Sequence, residues 1–290
     1  MNAFTKEIMN HLELPEDAKE LFIKISDKLK DNEEYKSYKE TYDASEDEPW
    51  VNMLKNIEVI AEKIGEHRFS VIFVFLLECC ERLYKDYEKN NIDLKIFYDS
   101  VMDLKYKFNE CVDTFETYGT SVGEWFNRLF GLRNFQLGRF QFEPIEFKHD
   151  HYEKDGVVIN KGDMVLNVHI PSGGGMTKEK REDSYKRAVE FFKNQYNQEY
   201  KAFVCQSWML YKNLYDFLDD SSNVKAFMDE YDIITNDVYE GFPTGWRIFG
   251  KYYTLPYDEL PENTKLQRSF KRMLTSGLPS GYGFGVKIIK

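Results

Sequence analysis

The sequence has little of what marks secreted or membrane-spanning proteins. Its 290 residues include only four cysteines, none in a C-x-x-C arrangement, which indicates a reducing compartment. The longest apolar run, residues 71–77, is far shorter than the roughly 20 residues needed to span a bilayer. The first residues also lack the basic-then-apolar pattern of a signal peptide. We therefore expect a cytoplasmic protein without a membrane segment.

Positive charge is also in short supply. The chain has 39 Lys and Arg against 50 Asp and Glu, a net charge of −11. Such a chain repels nucleic-acid backbones and anionic membrane surfaces, so we expect neither as a partner. A local basic pocket could still hold a small anionic ligand. We expect no metal, and the composition does not predict an oligomeric state.

Apolar residues recur every three or four positions through the first 130 residues, the spacing of amphipathic helices. The stripes are Ala18, Leu21, Phe22, Ile25 and Leu29; Met53, Leu54, Ile57, Ala61 and Ile64; and Phe97, Val101, Leu104, Phe108, Val112 and Phe115. Residues 68–87 predict a central helix and residues 43–49 an acidic loop. We expect an all-helical N-terminal domain over residues 1–130.

Short alternating runs begin near Asn134 and predict strands. We expect strands at 139–143, 157–160, 164–170, 202–207, 231–239 and 282–289. Helices are expected after Thr177 and over 264–275, with two short ones before Glu230. Hairpins followed by strand, loop, helix, strand and helix are typical of an α+β sandwich with a mixed sheet. This second domain is expected over residues 131–290.

A glycine-rich loop separates a predicted strand from a predicted helix. The loop consists of Ser172, Gly173, Gly174 and Gly175. Its N–H groups meet the positive end of a helix dipole, an arrangement that suits phosphate. The cations in the first helical turns are Lys178, Lys180 and Arg181. The alternative is a flexible connection that needs positive φ. The loop is neither a Walker loop nor a Gly-x-Gly-x-x-Gly turn, so those two classes are excluded.

Polar side chains alternate with apolar ones on two predicted strands. Arg139, Gln141 and Glu143 share a face of one strand, and Asn167 and His169 share a face of another. If the faces coincide, a carboxylate and an imidazole meet beside the glycine loop. Such groups can remove a proton from an amine near neutral pH. The alternative is an Arg139–Glu143 ion pair with His169 bonded to backbone.

Residues 203–208 suggest nucleophilic catalysis as an alternative. Cys205 and Ser207 share a face of a strand, and either could act as a nucleophile near His169. A cysteine in an apolar strand is more often part of the packing. Tyr211 and Tyr215 are expected one turn apart on the next helix, where they either protonate a leaving thiolate or belong to the core.

Five segments form a recognisable set, in the order Leu-Gly-Arg-Phe-Gln-Phe-Glu (137–143), Val-His-Ile-Pro-Ser-Gly-Gly-Gly-Met (168–176), Ser-Tyr-Lys-Arg-Ala (184–188), Phe-Val-Cys-Gln-Ser-Trp-Met-Leu (203–210) and Ser-Asn-Val (222–224). With them, the chain resembles a bacterial two-domain acyltransferase family over nearly its whole length. That family joins a helical N-terminal domain to a GNAT-like C-terminal domain.

The resemblance implies transfer of an acyl group from acyl-CoA to an amine. It assigns the CoA pyrophosphate to the loop at 172–176, with Lys178 and Arg181 beside it. It places the pantetheine arm in a splay between strands 164–170 and 202–207. It makes His169 or Glu143 the general base and Tyr211 or Tyr215 the acid. GNAT enzymes usually carry Gln/Arg-x-x-Gly-x-Gly/Ala at the loop, whereas this chain has Ser-Gly-Gly-Gly.

Three functional hypotheses follow. The first is an acyl-CoA-dependent N-acyltransferase whose acceptor is a small molecule bearing an amine, or a peptide amine. The second is a catalytically silent protein on the same fold that binds or senses acyl-CoA or another small ligand. The third is thiol hydrolase chemistry at Cys205 with His169. Neither the acyl group nor the acceptor is predicted.

Overall fold

The apolar stripes of the first 130 residues form helices, as the sequence predicts. A computed structural model describes all 290 residues, and the chain divides into two units, Met1–Gln136 and Leu137–Lys290. The helices of the first unit are α1 (Ala3–His11), α2 (Glu16–Leu29), α3 (Glu33–Thr41), α4 (Asp47–Lys63), α5 (Arg68–Lys89), α6 (Leu94–Phe115) and α7 (Asn127–Phe130), with a 3-10 helix at Gly123–Phe126. None of the helices combines the length and the apolar character that crossing a bilayer requires.

The boundaries of these helices follow ordinary capping chemistry. Asn2, Asn32 and Asp93 each accept a backbone N–H bond at a helix N-terminus. The predicted central helix is confirmed as α5, whose apolar residues 71–77 are all buried. The predicted acidic loop at 43–49 is partly wrong because α4 already begins at Asp47. Acidic residues favour the positive end of a helix, so the last part of that segment joins the first turn.

The second unit contains the predicted strands and two long helices. Its elements, with a first strand that crosses the boundary between the units, are β1 (Phe135–Leu137), β2 (Phe140–Glu146), β3 (His151–Lys154), β4 (Val157–Asn160), β5 (Met164–His169), α8 (Lys178–Tyr196), β6 (Ala202–Ser207), α9 (Asn223–Met228), β7 (Asp232–Val238), α10 (Trp246–Phe249), α11 (Lys265–Thr275) and β8 (Gly281–Ile288). Further 3-10 helices lie at Trp208–Leu210, Lys212–Phe217, Gly250–Thr254 and Tyr257–Glu259.

Six strands form one mixed sheet in the order β1-β2-β5-β6-β8-β7. The β2–β5, β6–β8 and β7–β8 pairs are antiparallel, and β5–β6 is parallel. Strands β3 and β4 form a separate hairpin. A helical N-terminal region followed by a mixed sheet with helices is the predicted α+β, GNAT-like fold class, which is therefore confirmed.

Each face of the sheet has its own cover. On one face, Tyr185 of α8 packs against Phe142 and Phe203. On the other, Tyr152 and Ile159 of the β3–β4 hairpin join a cluster that includes Val165, Val204, Phe284 and Val286. Residues of β5 and β6 therefore alternate between a helix-covered face and a hairpin-covered face, which decides where each candidate residue lies.

Candidate active site

The parallel neighbours β5 and β6 separate soon after they meet. Their register contains only two pairs, Leu166 with Phe203 and Asn167 with Val204. Both strands continue beyond these pairs, to His169 and Ser207. Because the ladder stops while the strands go on, the sheet opens between their C-terminal ends. This opening is the predicted splay.

The two predicted polar faces coincide at this opening. Strand β2 runs antiparallel to β5 with Gln141 opposite His169 and Glu143 opposite Asn167. His169 Nε2 lies 3.0 Å from Glu143 Oε2, and the Asn167 amide nitrogen lies 3.2 Å from the same ring nitrogen. The His169 side chain is 18% exposed and that of Glu143 is 7% exposed. The structure thus forms a nearly buried imidazole–carboxylate pair.

The contact with Glu143 selects the tautomer of His169. An ionised carboxylate only accepts hydrogen bonds, so Nε2 carries a proton and donates it to Glu143. On the neutral ring Nδ1 is then the basic nitrogen. If the ring takes a second proton, the carboxylate stabilises the resulting imidazolium. A histidine held in one orientation by a carboxylate has the arrangement of a general base with its orienting partner.

The glycine loop follows directly after His169 and its strand. Pro171 and Met176 are buried at its two ends, whereas Ser172, Gly174 and Gly175 are exposed. Gly174 has a φ of +82°, a region that favours glycine. A Cβ atom at Gly174 or Gly175 would meet no atom within 4 Å, so the space beside this backbone is open. The N-terminus of α8, capped at Thr177, comes next.

Lys178 and Arg181, the two cations that the resemblance assigns to the loop, occupy different environments. Lys178 is exposed and lies 3.7 Å from Glu182. Arg181 is 2% exposed, and it donates to the Met176 carbonyl at 2.6 Å and to Glu230 at 2.7 Å. Arg181 therefore holds the end of the loop from inside the protein, while Lys178 is directed to solvent.

One contact of the loop was not foreseen. Arg139 is in the turn before β2, not on the strand face beside Glu143, and its Nη2 donates to the Gly174 carbonyl at 3.0 Å. The Gly138 that precedes it, with a φ of +78°, is the turn signal that could have indicated this. Arg139 brings a guanidinium to the loop that the sequence placed elsewhere.

Cys205 and His169 lie on opposite faces of the sheet. Val165 and Val204 belong to the hairpin-covered cluster, and His169 shares its face with Val165. Cys205 alternates with Val204 and is therefore on the helix-covered face. Burial raises the pKa of the Cys205 thiol to about 12. A buried thiol that stays protonated is a poor nucleophile, so the structure does not bring together the cysteine–histidine pair.

Neither candidate tyrosine lies on the helix that the sequence predicts. Tyr211 separates two 3-10 helices, is 1% exposed and accepts a bond from the Asn213 amide at 3.0 Å. Its ring packs at Gly281, on the β8 side of β6 and away from β5. Burial raises the pKa of Tyr211. The Tyr215 hydroxyl donates to Asp229 at 2.8 Å. No contact joins either hydroxyl to His169.

No group of three or more His, Cys, Asp or Glu side chains is placed to hold a metal ion. The candidate site has four features. These are the opening between β5 and β6, the His169–Glu143 pair, the glycine loop and the buried residues that anchor it.

Comparison with known proteins identifies the family to which the chain belongs. A family model described as the N-acyltransferase N-terminal domain matches residues 3–132, and the GNAT-like C-terminal domain matches residues 134–286. No curated protein sequence matches the chain.

Similar solved structures are acyltransferases. An acyltransferase in complex with decanoyl-CoA and teicoplanin is 18% identical, with 99% of this chain and 88% of that chain covered and a TM-score of 0.70. A complex of an acyltransferase mutant with octanoyl-CoA gives the same values. A further acyltransferase bound to decanoyl-CoA is 15% identical, with 99% of each chain covered and a TM-score of 0.64. These similarities extend over both units and show the fold. From the family match over residues 134–286 together with that over 3–132, we conclude that the chain belongs to the two-domain N-acyltransferase family with a GNAT-like C-terminal domain.

Proposed function

We propose that the protein is an acyl-CoA-dependent N-acyltransferase in which an amine attacks the thioester directly and His169 accepts the proton of that amine. The observation that carries the proposal is the 3.0 Å contact between His169 and Glu143 at the opening of β5 and β6, beside the glycine loop. The acyl-CoA complexes of the similar structures support the choice of donor.

The glycine loop fits the phosphates of an acyl-CoA. Gly174 and Gly175 leave the adjoining space open, and a branched side chain at Gly174 would fill it. The loop leads into the N-terminus of α8, which favours negative charge. Arg139 adds a guanidinium at the loop, and Lys178 adds a solvent-facing cation. The acyl-CoA would supply the thioester, and these residues would hold its phosphates.

The His169–Glu143 pair would handle the proton. An amine becomes a better nucleophile toward a carbonyl carbon if its proton is removed as the bond forms. His169 would take that proton, and Glu143 would stabilise the imidazolium through Nε2. The Asn167 side chain, 3.2 Å from Nε2, lies beside this pair. The leaving thiolate also needs a proton, and the imidazolium of His169 would return it, because the Tyr211 hydroxyl that the resemblance suggests for this step is buried on the β8 side of β6.

The acceptor is proposed to carry a primary or secondary amine, on a small molecule or a peptide. This assignment follows from the base, since an amine is the nucleophile whose proton such a pair removes near neutral pH. Teicoplanin is present in one of the similar acyltransferase complexes with decanoyl-CoA. We therefore include glycopeptides among the acceptors to be tested.

Binding and activity should be measured separately. CoA, acetyl-CoA, octanoyl-CoA and decanoyl-CoA should each raise the melting temperature, because a ligand that binds only the folded state stabilises it. Gly174→Val should abolish the shift, since its side chain fills the open space at the loop. Gly175→Ala, which adds one methyl group where φ is ordinary, is the matched control and should retain most of the shift.

The results of these measurements distinguish an active enzyme from a protein that binds acyl-CoA without catalysis. Release of CoA that depends on an added amine, and that stops in His169→Gln, supports the enzyme. Binding without acyl transfer to any amine would indicate the alternative, a binding or sensing protein on the same fold. A protein that gives no melting shift with any of the four ligands would contradict both.

A further inference from the structure

The helical unit contains a polar cavity that none of the candidate catalytic residues reaches. Its volume is about 490 Å³, and it lies where α1, the end of α2, α3 and α5 converge. Its floor includes Thr5, Ser26 and Tyr35, whose side chains are almost fully buried. Apart from Met1 and Leu29, the residues that line the cavity are polar or charged, so the cavity suits a polar ligand.

The charge of this cavity is opposite to that of the whole chain. Five cationic side chains line it, namely Lys30, Lys36, Lys39, Arg82 and Lys85, against three acidic ones, namely Glu40, Glu78 and Glu81. The formal excess is two positive charges in a protein of net charge −11. A local excess of positive charge in an acidic protein attracts small anions to that place.

The two inner carboxylates of the cavity are already satisfied. Glu78 accepts bonds from Ser26 at 2.5 Å and Tyr35 at 3.2 Å, and it pairs with Lys39 at 2.8 Å. Glu81 pairs with Lys85 at 2.7 Å. These contacts neutralise Lys39 and Lys85, which leaves three cations, Lys30, Lys36 and Arg82, against one carboxylate, Glu40.

Three cations of the cavity lack a carboxylate partner inside it. Lys30 forms no ion pair. Arg82 donates to the main-chain carbonyls of Glu40 and Tyr42 and lies over the Tyr42 ring, so it forms no ion pair with a carboxylate of the cavity. Lys36 pairs only with Glu33, whose side chain is 85% exposed. A solvent-exposed pair of this kind is weak, so Lys36 can turn toward a ligand at little cost.

We propose that this cavity binds a small molecule that carries phosphate groups. Lysine ammonium groups bind phosphate as point charges with rotatable donors, and a guanidinium adds several donors in a plane. The volume is within the range of about 300–1,000 Å³ that is usual for small-molecule sites. This site does not depend on the acyl transfer proposed above, and it would give the helical unit a ligand of its own.

The test uses inorganic pyrophosphate as the probe and the full chain. Isothermal titration calorimetry at about 0.15 M ionic strength, where weak surface contacts are largely screened, should show saturable binding. Lys30→Met combined with Lys36→Met should weaken that binding about tenfold or more, since each charge-assisted contact contributes substantially. Lys24→Met, an exposed lysine of α2 outside the cavity, is the matched control and should leave the affinity unchanged.

A second comparison separates this cavity from the glycine loop. Gly174→Val should leave pyrophosphate binding at the cavity intact, even where it abolishes the effect of CoA. Binding that is lost in Gly174→Val and retained in the double lysine variant would overturn the proposal and assign the anion to the loop. If the double variant unfolds, the single Lys30→Gln change at this exposed position replaces it. Citrate that binds as tightly as pyrophosphate would overturn the assignment to phosphate, and the lack of saturable binding would overturn the site itself.

Discussion

The two sides of strand β6 are built in opposite ways. Toward β8, β6 forms an antiparallel ladder of six pairs, from Ala202 with Ile288 to Ser207 with Gly283. Toward β5 it forms only two pairs and then separates. The closed side is sealed by backbone hydrogen bonds, whereas the open side leaves strand ends that side chains and ligands can use.

Glycine serves a different purpose on each side. On the closed side, a Cβ atom at Gly283 would collide with the backbone of Leu210. There, the lack of a side chain allows the chain to pack directly on the sheet. On the open side, Gly174 and Gly175 adjoin empty space. We therefore expect substitutions on the closed side to change stability and those on the open side to change binding or activity.

The largest effect is expected on the open side. His169→Gln should lower kcat by about 10²–10⁴-fold, the usual contribution of a general base, with little change in melting temperature. Steady-state kinetics on any active pair of acyl-CoA and amine will measure it. Wild-type kcat in this variant would move the base role to Glu143.

Glu143→Gln should have a smaller effect on the same side. The amide keeps the size of the side chain but no longer stabilises an imidazolium at Nε2, so kcat should fall about 10- to 100-fold, as for other orienting partners. The split between kcat and KM distinguishes this role from a structural one, because kcat should fall while KM for the acyl-CoA and the melting temperature stay near their wild-type values. Lowered stability with unchanged kcat would indicate that Glu143 serves only the fold.

A substitution on the closed side should lower the stability of the protein. Gly283→Ala should lower the free energy of unfolding by about 1–3 kcal/mol, the usual cost of overpacking. Gly175→Ala is the control and should cost much less. Urea denaturation of both variants will compare them. If Gly283→Ala lowers kcat at unchanged stability, the division between a structural and a functional side of β6 is wrong.

Cys205→Ala should have the smallest effect on activity. The residue faces the helix-covered side, and its buried thiol, with a pKa raised to about 12, is protonated at neutral pH. We expect near-normal kcat and a small packing loss. An inactive variant, together with an acyl-cysteine trapped in the wild type, would contradict direct attack by the amine.

The same thiol predicts a pH dependence of stability. Its pKa is higher in the folded protein than the ordinary value of about 8.5, so the fold favours the protonated form. That contribution is fully present below about pH 8.5 and is lost as the pH rises toward 12. The wild type should therefore lose more stability than Cys205→Ala between pH 8.5 and 12, as followed by urea denaturation.

Sequence alone predicted most of the regular structure because periodicity reports which faces are buried. The alternation at 157–160 and 164–170 gave β4 and β5, and the stripe at 97–115 gave α6. Sequence predicts that His169 meets Glu143 only if the polar faces of their two strands coincide. Alternation tells which side of a strand a residue takes, but only the register of β2 on β5, with Gln141 opposite His169 and Glu143 opposite Asn167, makes Glu143 and His169 diagonal neighbours on one face.

Other features depended on contacts that leave no periodic signal. The segment around Tyr211 has aromatic spacing like that of a helix, yet it folds as two 3-10 helices that pack on glycines of β8. The position of Arg139 depended on a turn at Gly138. Burial of Arg181 against Glu230 could not be read from its place in the first turns of α8, because its partner is 49 residues away.

The short link between His169 and the glycine loop limits the distance between them. Ile170 and Pro171 are all that separates the histidine from Ser172, and Pro171 is buried with its φ fixed by its ring. Three residues span at most about 10 Å, however the strands move. A ligand held at the loop would therefore lie within a distance of the imidazole that the chain length limits, and inserting one residue after Ile170 would raise that limit by about 3.5 Å.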